Sequence, residues 1–107
     1  MTVSCAFDAD PPITALEVEW DVDGFFGRLR SGEFDLEGYR RAKAVLAAIS
    51  IPDDALLPLR FVSLIWYIPI YMRWQIERIT ELGGDLVAYK RAIDHMTNEC
   101  ERLFGLP

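Results

Sequence analysis

Residues 59–82 read LRFVSLIWYIPIYMRWQIERITEL, the most apolar stretch of the chain. From Leu59 to Leu82, apolar side chains recur at intervals of three and four residues, which is the period of an α-helix with a buried face. Pro69 interrupts this stretch, and a proline inside a helix removes a backbone hydrogen bond. The pattern therefore predicts a helix that is kinked or broken at Pro69.

The aromatic and uncharged composition of this stretch predicts a core element. Trp66 and Trp74 are eight residues apart, on one face of the predicted helix, and we expect both in the core. The uncharged run from Phe61 to Met72 is shorter than the roughly 20 residues that a membrane-spanning helix needs. A buried helix is therefore favoured over a membrane span.

Two other segments have clear helical spacing. Asp35 is a suitable N-cap for the first, and Asp85 begins the second. The apolar positions of the first are Leu36, Tyr39, Ala42, Leu46 and Ile49. Those of the second are Leu86, Tyr89, Ile93, Met96, Cys100 and Leu103. Each set recurs every three or four residues, so each segment is predicted to be a helix with one buried face.

The segment near the N-terminus fits two structures. Residues 16–23 alternate apolar and acidic side chains, which is the pattern of a strand. Thr14 and Glu17 instead fit a helix-capping box, and no second alternating segment is present to pair with a strand. We predict a helix over residues 15–31, weakest at Gly24, since glycine costs a helix about 1 kcal/mol relative to alanine. A strand over residues 16–23 is the alternative.

These segments together predict an all-α protein, an antiparallel bundle of about four helices. Residues 1–12 are expected to be a flexible lead-in and residues 13–107 a single helical domain. The hydrophobic content of 51% is sufficient for a core without disulfides. Cys5 and Cys100 are interpreted as free thiols, which favours a reducing compartment and a cytoplasmic location.

Motifs for metal binding and catalysis are incomplete. Residues 19–24 match the first six positions of an EF-hand calcium loop, but Arg30 stands at position 12, where the bidentate carboxylate belongs. His95 and Glu99 form a helical i, i+4 pair, whereas a metal site needs three or four ligands. No local motif pairs a nucleophile with a base. We therefore predict no catalytic residue, metal or cofactor.

The charge distribution is uneven. The formal net charge is −6, and residues 1–39 contain nine acids against Arg28 and Arg30. Such a field repels nucleic acids and anionic membranes and attracts a basic protein. The short basic run at residues 40–43 is typical of a solvated helix face. The alternative is that the acids serve only solubility.

Two sets of residues have the chemistry of a protein interface. Trp20 is surrounded by acids, as an aromatic anchor ringed by polar groups would be, although a second core face would also account for it. The predicted partner-binding face consists of Glu17, Glu19, Trp20, Asp21, Asp23, Glu33, Asp35 and Glu37. The second candidate patch consists of Tyr67, Tyr71 and Arg73, around the kink.

A small acidic helical chain of this kind, without a catalytic motif, resembles the immunity proteins that neutralise bacterial toxins. The resemblance is one of overall character. It implies a bacterial protein that covers a basic toxin domain, such as a nuclease, with its acidic face. The alternatives are a small helical transcriptional regulator or adaptor and a non-catalytic subunit of a larger complex. The sequence does not specify an oligomeric state.

Overall fold

The computed structural model describes residues 7–107, which are 67% helical and contain no strand. The prediction of an all-α protein is confirmed for this range. The helices are α1 (Asp10–Trp20), α2 (Phe25–Leu29), α3 (Leu36–Ala47), α4 (Leu59–Trp66), α5 (Ile68–Trp74), α6 (Ile76–Glu81) and α7 (Leu86–Phe104). There are seven segments rather than about four, and their arrangement as an antiparallel bundle stays a prediction. None of these helices has the length and hydropathy needed to cross a membrane.

The predicted helix over residues 15–31 is wrong at both ends and in the middle. Helix α1 begins at Asp10, because two prolines are accommodated in its first turn. It ends at Trp20, and the chain turns back before α2 begins at Phe25. A side chain at Gly24 would approach the carbonyl oxygen of Val18 to 2.2 Å, so the turn requires glycine there. Of the rest of the expected lead-in, residues 7–9 precede the helix, and residues 1–6 lie outside the described residues.

The apolar stretch is broken twice. The first break is at Tyr67, so that Pro69 becomes the second residue of α5, where its missing N–H is tolerated. This confirms a break next to Pro69. The second break, at Gln75, was not predicted. Three helices, α4, α5 and α6, therefore follow one another where a helix kinked or broken once, at Pro69, was expected.

Side chains of α7 donate to backbone carbonyls at these breaks. Pro69 has no N–H for the carbonyl of Ile65, and the thiol of Cys100 lies 3.5 Å from that oxygen. At the second break, the hydroxyl of Tyr89 donates to the carbonyl of Met72 at 2.6 Å. Both donors come from α7, which packs against α5. Contacts with α7 therefore stabilise the chain at both breaks.

The core differs from the predicted one in its aromatic members. Helices α3 and α7 bury most of their expected faces, including Leu46 and Ile93, but Leu36, which was predicted to be buried, is 48% exposed. Trp66 and Trp74, however, are 51% and 68% exposed, so their assignment to the core is wrong. The largest fully buried side chains are Tyr89, Phe25, Phe26, Phe61, Leu16, Leu29, Leu46, Ile65, Ile68, Met72, Ile79 and Met96.

Candidate partner-binding surfaces

Glu19 belongs to the interior of the protein and not to an exposed acidic face. It is 4% exposed, and its Oε1 accepts the backbone N–H of Phe25 at 3.0 Å, at the start of α2. Arg41 of α3 donates to both carboxylate oxygens, at 3.1 and 3.2 Å. The hydrogen bonds and charge of Glu19 raise the pKa of Arg41 above its ordinary value. Glu19 therefore joins three helices.

Trp20 is half-buried and is held by the core. Its indole N–H donates to the carbonyl of Leu64 at 2.9 Å, and its ring stacks on Phe26 with the centroids 4.4 Å apart. The ring of Tyr71 lies 4.8 Å from it, edge to face. A side chain fixed in this way belongs to the packing between α1, α2 and the apolar stretch. Only its outer edge is available to a partner.

The other predicted acids are mostly paired with arginines of the same chain. Glu17 pairs with Arg60 at 2.9 Å, and Arg28 lies 3.2 Å from Glu33 and 3.4 Å from Asp35. Glu37 pairs with Arg40 at 2.9 Å.

Asp21 and Asp23 are exposed and form no ion pair with any residue between 7 and 107. They lie in the turn between α1 and α2, and we call residues 21–23 the acidic turn. The predicted face is thus divided into a structural carboxylate, several local ion pairs and this turn.

The second predicted patch is also divided. Tyr71 is 4% exposed and its hydroxyl donates to the carbonyl of Phe26, so it is part of the core. Burial raises the pKa of this phenol above its ordinary value. Tyr67 is half-buried and Arg73 is exposed. Arg73 lines a groove of about 310 Å³ with Lys90 and Asp94 of α7.

Sequence reasoning missed the residues that complete an aromatic surface around Tyr67. The ring of Trp66 lies 5.5 Å from that of Tyr67, and the ring of Trp74 lies 5.8 Å from it at a right angle. The aromatic face, as we name it, is therefore Trp66, Tyr67 and Trp74, on the outside of α4 and α5. The sequence could have indicated this surface, because the apolar stretch has two sets of side chains at helical spacing. One set is exposed and forms the aromatic face. The other set is buried and consists of Phe61, Leu64, Ile65 and Ile68.

A shallow cleft of about 280 Å³ adjoins the aromatic face. It is lined by Trp20, Arg30, Arg60, Ser63, Leu64 and Tyr67. The guanidinium of Arg30 lies 5.6 Å from the centroid of the Tyr71 ring, and Arg78 donates to the backbone carbonyl of Arg30 at 3.4 Å. The aromatic face is therefore bordered by arginines on its α2 side.

The remaining candidates for chemistry are separated from one another. His95 is exposed, and its Nδ1 is hydrogen-bonded to the hydroxyl of Tyr39 at 2.9 Å. No cluster of three or more potential metal ligands occurs within residues 7–107. Of the residues from 7 to 107, Asp8 is the only titratable one that lines an apolar groove of about 420 Å³ between α1 and α3. These features offer no assembled acid, base and nucleophile.

Comparisons of this chain with protein-family models, with curated proteins and with solved structures found no match.

Proposed function

We propose that this chain is a protein-binding module and that the aromatic face is the centre of its binding surface. The observation that carries the proposal is the exposure of Trp66 and Trp74, at 51% and 68%, on either side of Tyr67. Tryptophan, tyrosine and arginine are the residues most enriched among those that dominate binding energy. Exposed tryptophans that contact a common tyrosine form a rigid apolar surface, because the core holds the helices beneath them.

The partner that we propose is a basic protein, because the net charge of this chain is −6. The acidic turn would then contribute long-range attraction, which increases association rates. This supports an immunity-type role, in which the protein acts in the cytoplasm of a bacterium and neutralises a basic toxin domain. The paired acids on α1 and α3 contribute less than their number suggests, since each already has an arginine within the chain.

The experiment is surface plasmon resonance against the product of the neighbouring gene, with matched variants. Trp66→Ala and Trp74→Ala should each weaken binding by about thirtyfold or more, the effect of losing a dominant anchor. Leu56→Ala is the control, because Leu56 is 93% exposed and precedes the start of α4, whereas Trp66 is the last residue of that helix. Binding that is unchanged in both tryptophan variants would reject the aromatic face.

The acidic turn is tested separately through kinetics. Charge reversal at Asp21 and Asp23 should slow association several-fold at low salt and leave dissociation nearly unchanged, because distant charges act mainly on the encounter. The effect should disappear at high salt, where the charges are screened. An association rate that depends on neither salt nor these residues would contradict a basic partner.

A further inference from the structure

We infer that the arginine-bordered side of the aromatic face receives an acidic segment of the partner protein, with Arg30 and Arg78 as its carboxylate contacts. This inference rests on the proposed function, because it names the chemistry of the segment that would cover the aromatic face. It concerns a local contact. The attraction between the acidic turn and a basic partner acts over longer distances.

Arg30 and Arg78 are neighbouring arginines without an acidic partner in an acidic protein. Five arginines form ion pairs: Arg28, Arg40, Arg41, Arg60 and Arg102. The other four, Arg30, Arg73, Arg78 and Arg91, form none with the residues that the structure describes, although the chain has a surplus of six acids. Of these four, Arg30 and Arg78 are in contact, through the hydrogen bond from Arg78 to the carbonyl of Arg30. Two neighbouring cations that lack a carboxylate are complementary to an acidic ligand.

The cleft of about 280 Å³ combines arginine and aromatic side chains. Arg30 forms one wall, and Trp20 and Tyr67 form others. Arg60 is the second cation of the cleft, but its charge is already met by Glu17 at 2.9 Å. Arg30 is steadied by its position over the ring of Tyr71. A carboxylate entering this cleft would meet the guanidinium of Arg30 and accept a charge-assisted hydrogen bond from it, which is stronger than one between neutral groups.

The cleft is continuous with the aromatic face. Arg78 follows Trp74 by four residues, across the break at Gln75. Tyr67 belongs to both the cleft and the aromatic face. A single extended segment can therefore place apolar side chains on the tryptophans and a carboxylate in the cleft. A nucleic acid also supplies anions and bases for stacking, but it carries a phosphate at every nucleotide, so the net charge of −6 repels it more strongly than a segment that places one carboxylate there.

The experiment uses short synthetic peptides and nuclear magnetic resonance. The first peptide alternates leucine and glutamate, and the matched peptides carry lysine or glutamine in place of glutamate. Each is titrated into the full chain, and the signals followed are the Trp74 indole N–H and the Arg30 backbone amide. The glutamate peptide should shift both signals. Its affinity should fall about tenfold in the Arg30→Gln, Arg78→Gln double variant, as expected from the loss of charged contacts.

The control variant is Arg91→Gln, which removes an exposed cation of α7 that has no ion pair among residues 7–107. Its affinity for the glutamate peptide should match that of the parent. Thermal melts confirm that the arginine variants are folded.

The possible failures have different meanings. Equal or tighter binding of the lysine or glutamine peptide, with the same Trp74 shift, would overturn the acidic segment and leave the protein-binding proposal standing. If a single-stranded oligonucleotide bound more tightly than the glutamate peptide, the inference of an acidic segment would be overturned in favour of a nucleic acid. No shift with the glutamate peptide at millimolar concentration would also overturn it. The surface plasmon resonance experiment on the Trp66 and Trp74 variants tests the proposed function independently.

Discussion

At the scale of single residues, Glu19 shows how a charged side chain can stabilise the fold from within. Charged residues are rarely buried unless they are paired, which made a surface position the natural expectation from sequence. The carboxylate instead completes the start of α2 by accepting the N–H of Phe25, and Arg41 neutralises it. The sequence contains both partners, but they are 22 residues apart. Only the tertiary contact between α1 and α3 reveals their pairing.

Glu19→Ala is therefore expected to lower the free energy of unfolding by about 1–3 kcal/mol, the cost of leaving a buried N–H without an acceptor. Arg41 contributes less to this loss, because its side chain is 52% exposed and can be hydrated. The matched control is Glu17→Ala, whose ion pair with Arg60 is exposed and should contribute about 0–1 kcal/mol. Urea unfolding of both variants provides the measurement. Equal stability losses would show that Glu19 is not a structural carboxylate.

At the scale of helices, the buried face was predicted correctly where a helix also has a polar face, and wrongly where it lacks one. Helices α3 and α7 carry charged residues on one side, which fixes the buried side. The stretch that became α4 to α6 is apolar on most sides, so its rotation about the axis could not be read from periodicity. Trp66 and Trp74 were consequently assigned to the wrong face. The same ambiguity explains why the aromatic face was found only in part, through Tyr67.

Trp66→Ala and Ile93→Ala now have different expected effects on stability. Ile93 is 4% exposed, and its truncation should cost about 2–5 kcal/mol. Trp66 is 51% exposed, so its truncation should cost about 1 kcal/mol or less. Thermal or urea unfolding of the two variants distinguishes these cases. A large loss in the Trp66 variant would return that side chain to the core and remove it from the aromatic face.

The turn between α1 and α2 gives a prediction with an unusual sign. Gly27 lies within α2, where alanine normally stabilises a helix by about 1 kcal/mol relative to glycine. A side chain at Gly27 would lie 1.9 Å from the carbonyl oxygen of Asp21. Gly27→Ala should therefore destabilise the protein and disturb the acidic turn.

Circular dichroism melts test this sign. A higher melting temperature for Gly27→Ala would show that the turn is looser than the close approach indicates. Ala44→Gly, on the exposed side of α3, is the comparison for an ordinary helix position, where glycine should cost about 1 kcal/mol.

At the scale of the whole molecule, four neutral groups connect the helices and make folding sensitive to alkali. Burial raises the pKa values of Tyr39, Tyr71 and Tyr89, and raises the pKa of the Cys100 thiol to about 11. They lie on α3, α5 and α7. Each group is held in its protonated form more strongly in the folded chain than in the unfolded one. Their contribution to stability is complete below the unfolded pKa values and is lost as pH rises through the folded ones.

Stability should therefore begin to fall above about pH 8.5, where an unfolded thiol ionises, and more steeply above about pH 10, where unfolded tyrosines ionise. Urea midpoints measured at about pH 7.5, 9.5 and 10.5 would trace this decline. Cys100→Ala should remove the loss of stability between about pH 8.5 and 10 and retain the loss that the tyrosines cause at higher pH. Both chains are compared in a Cys5→Ser background, because Cys5 lies outside the described residues. Folding links stability to pH in this range only through a thiol that it keeps neutral. If stability declined identically with and without the Cys100 thiol, this linkage through Cys100 would be contradicted.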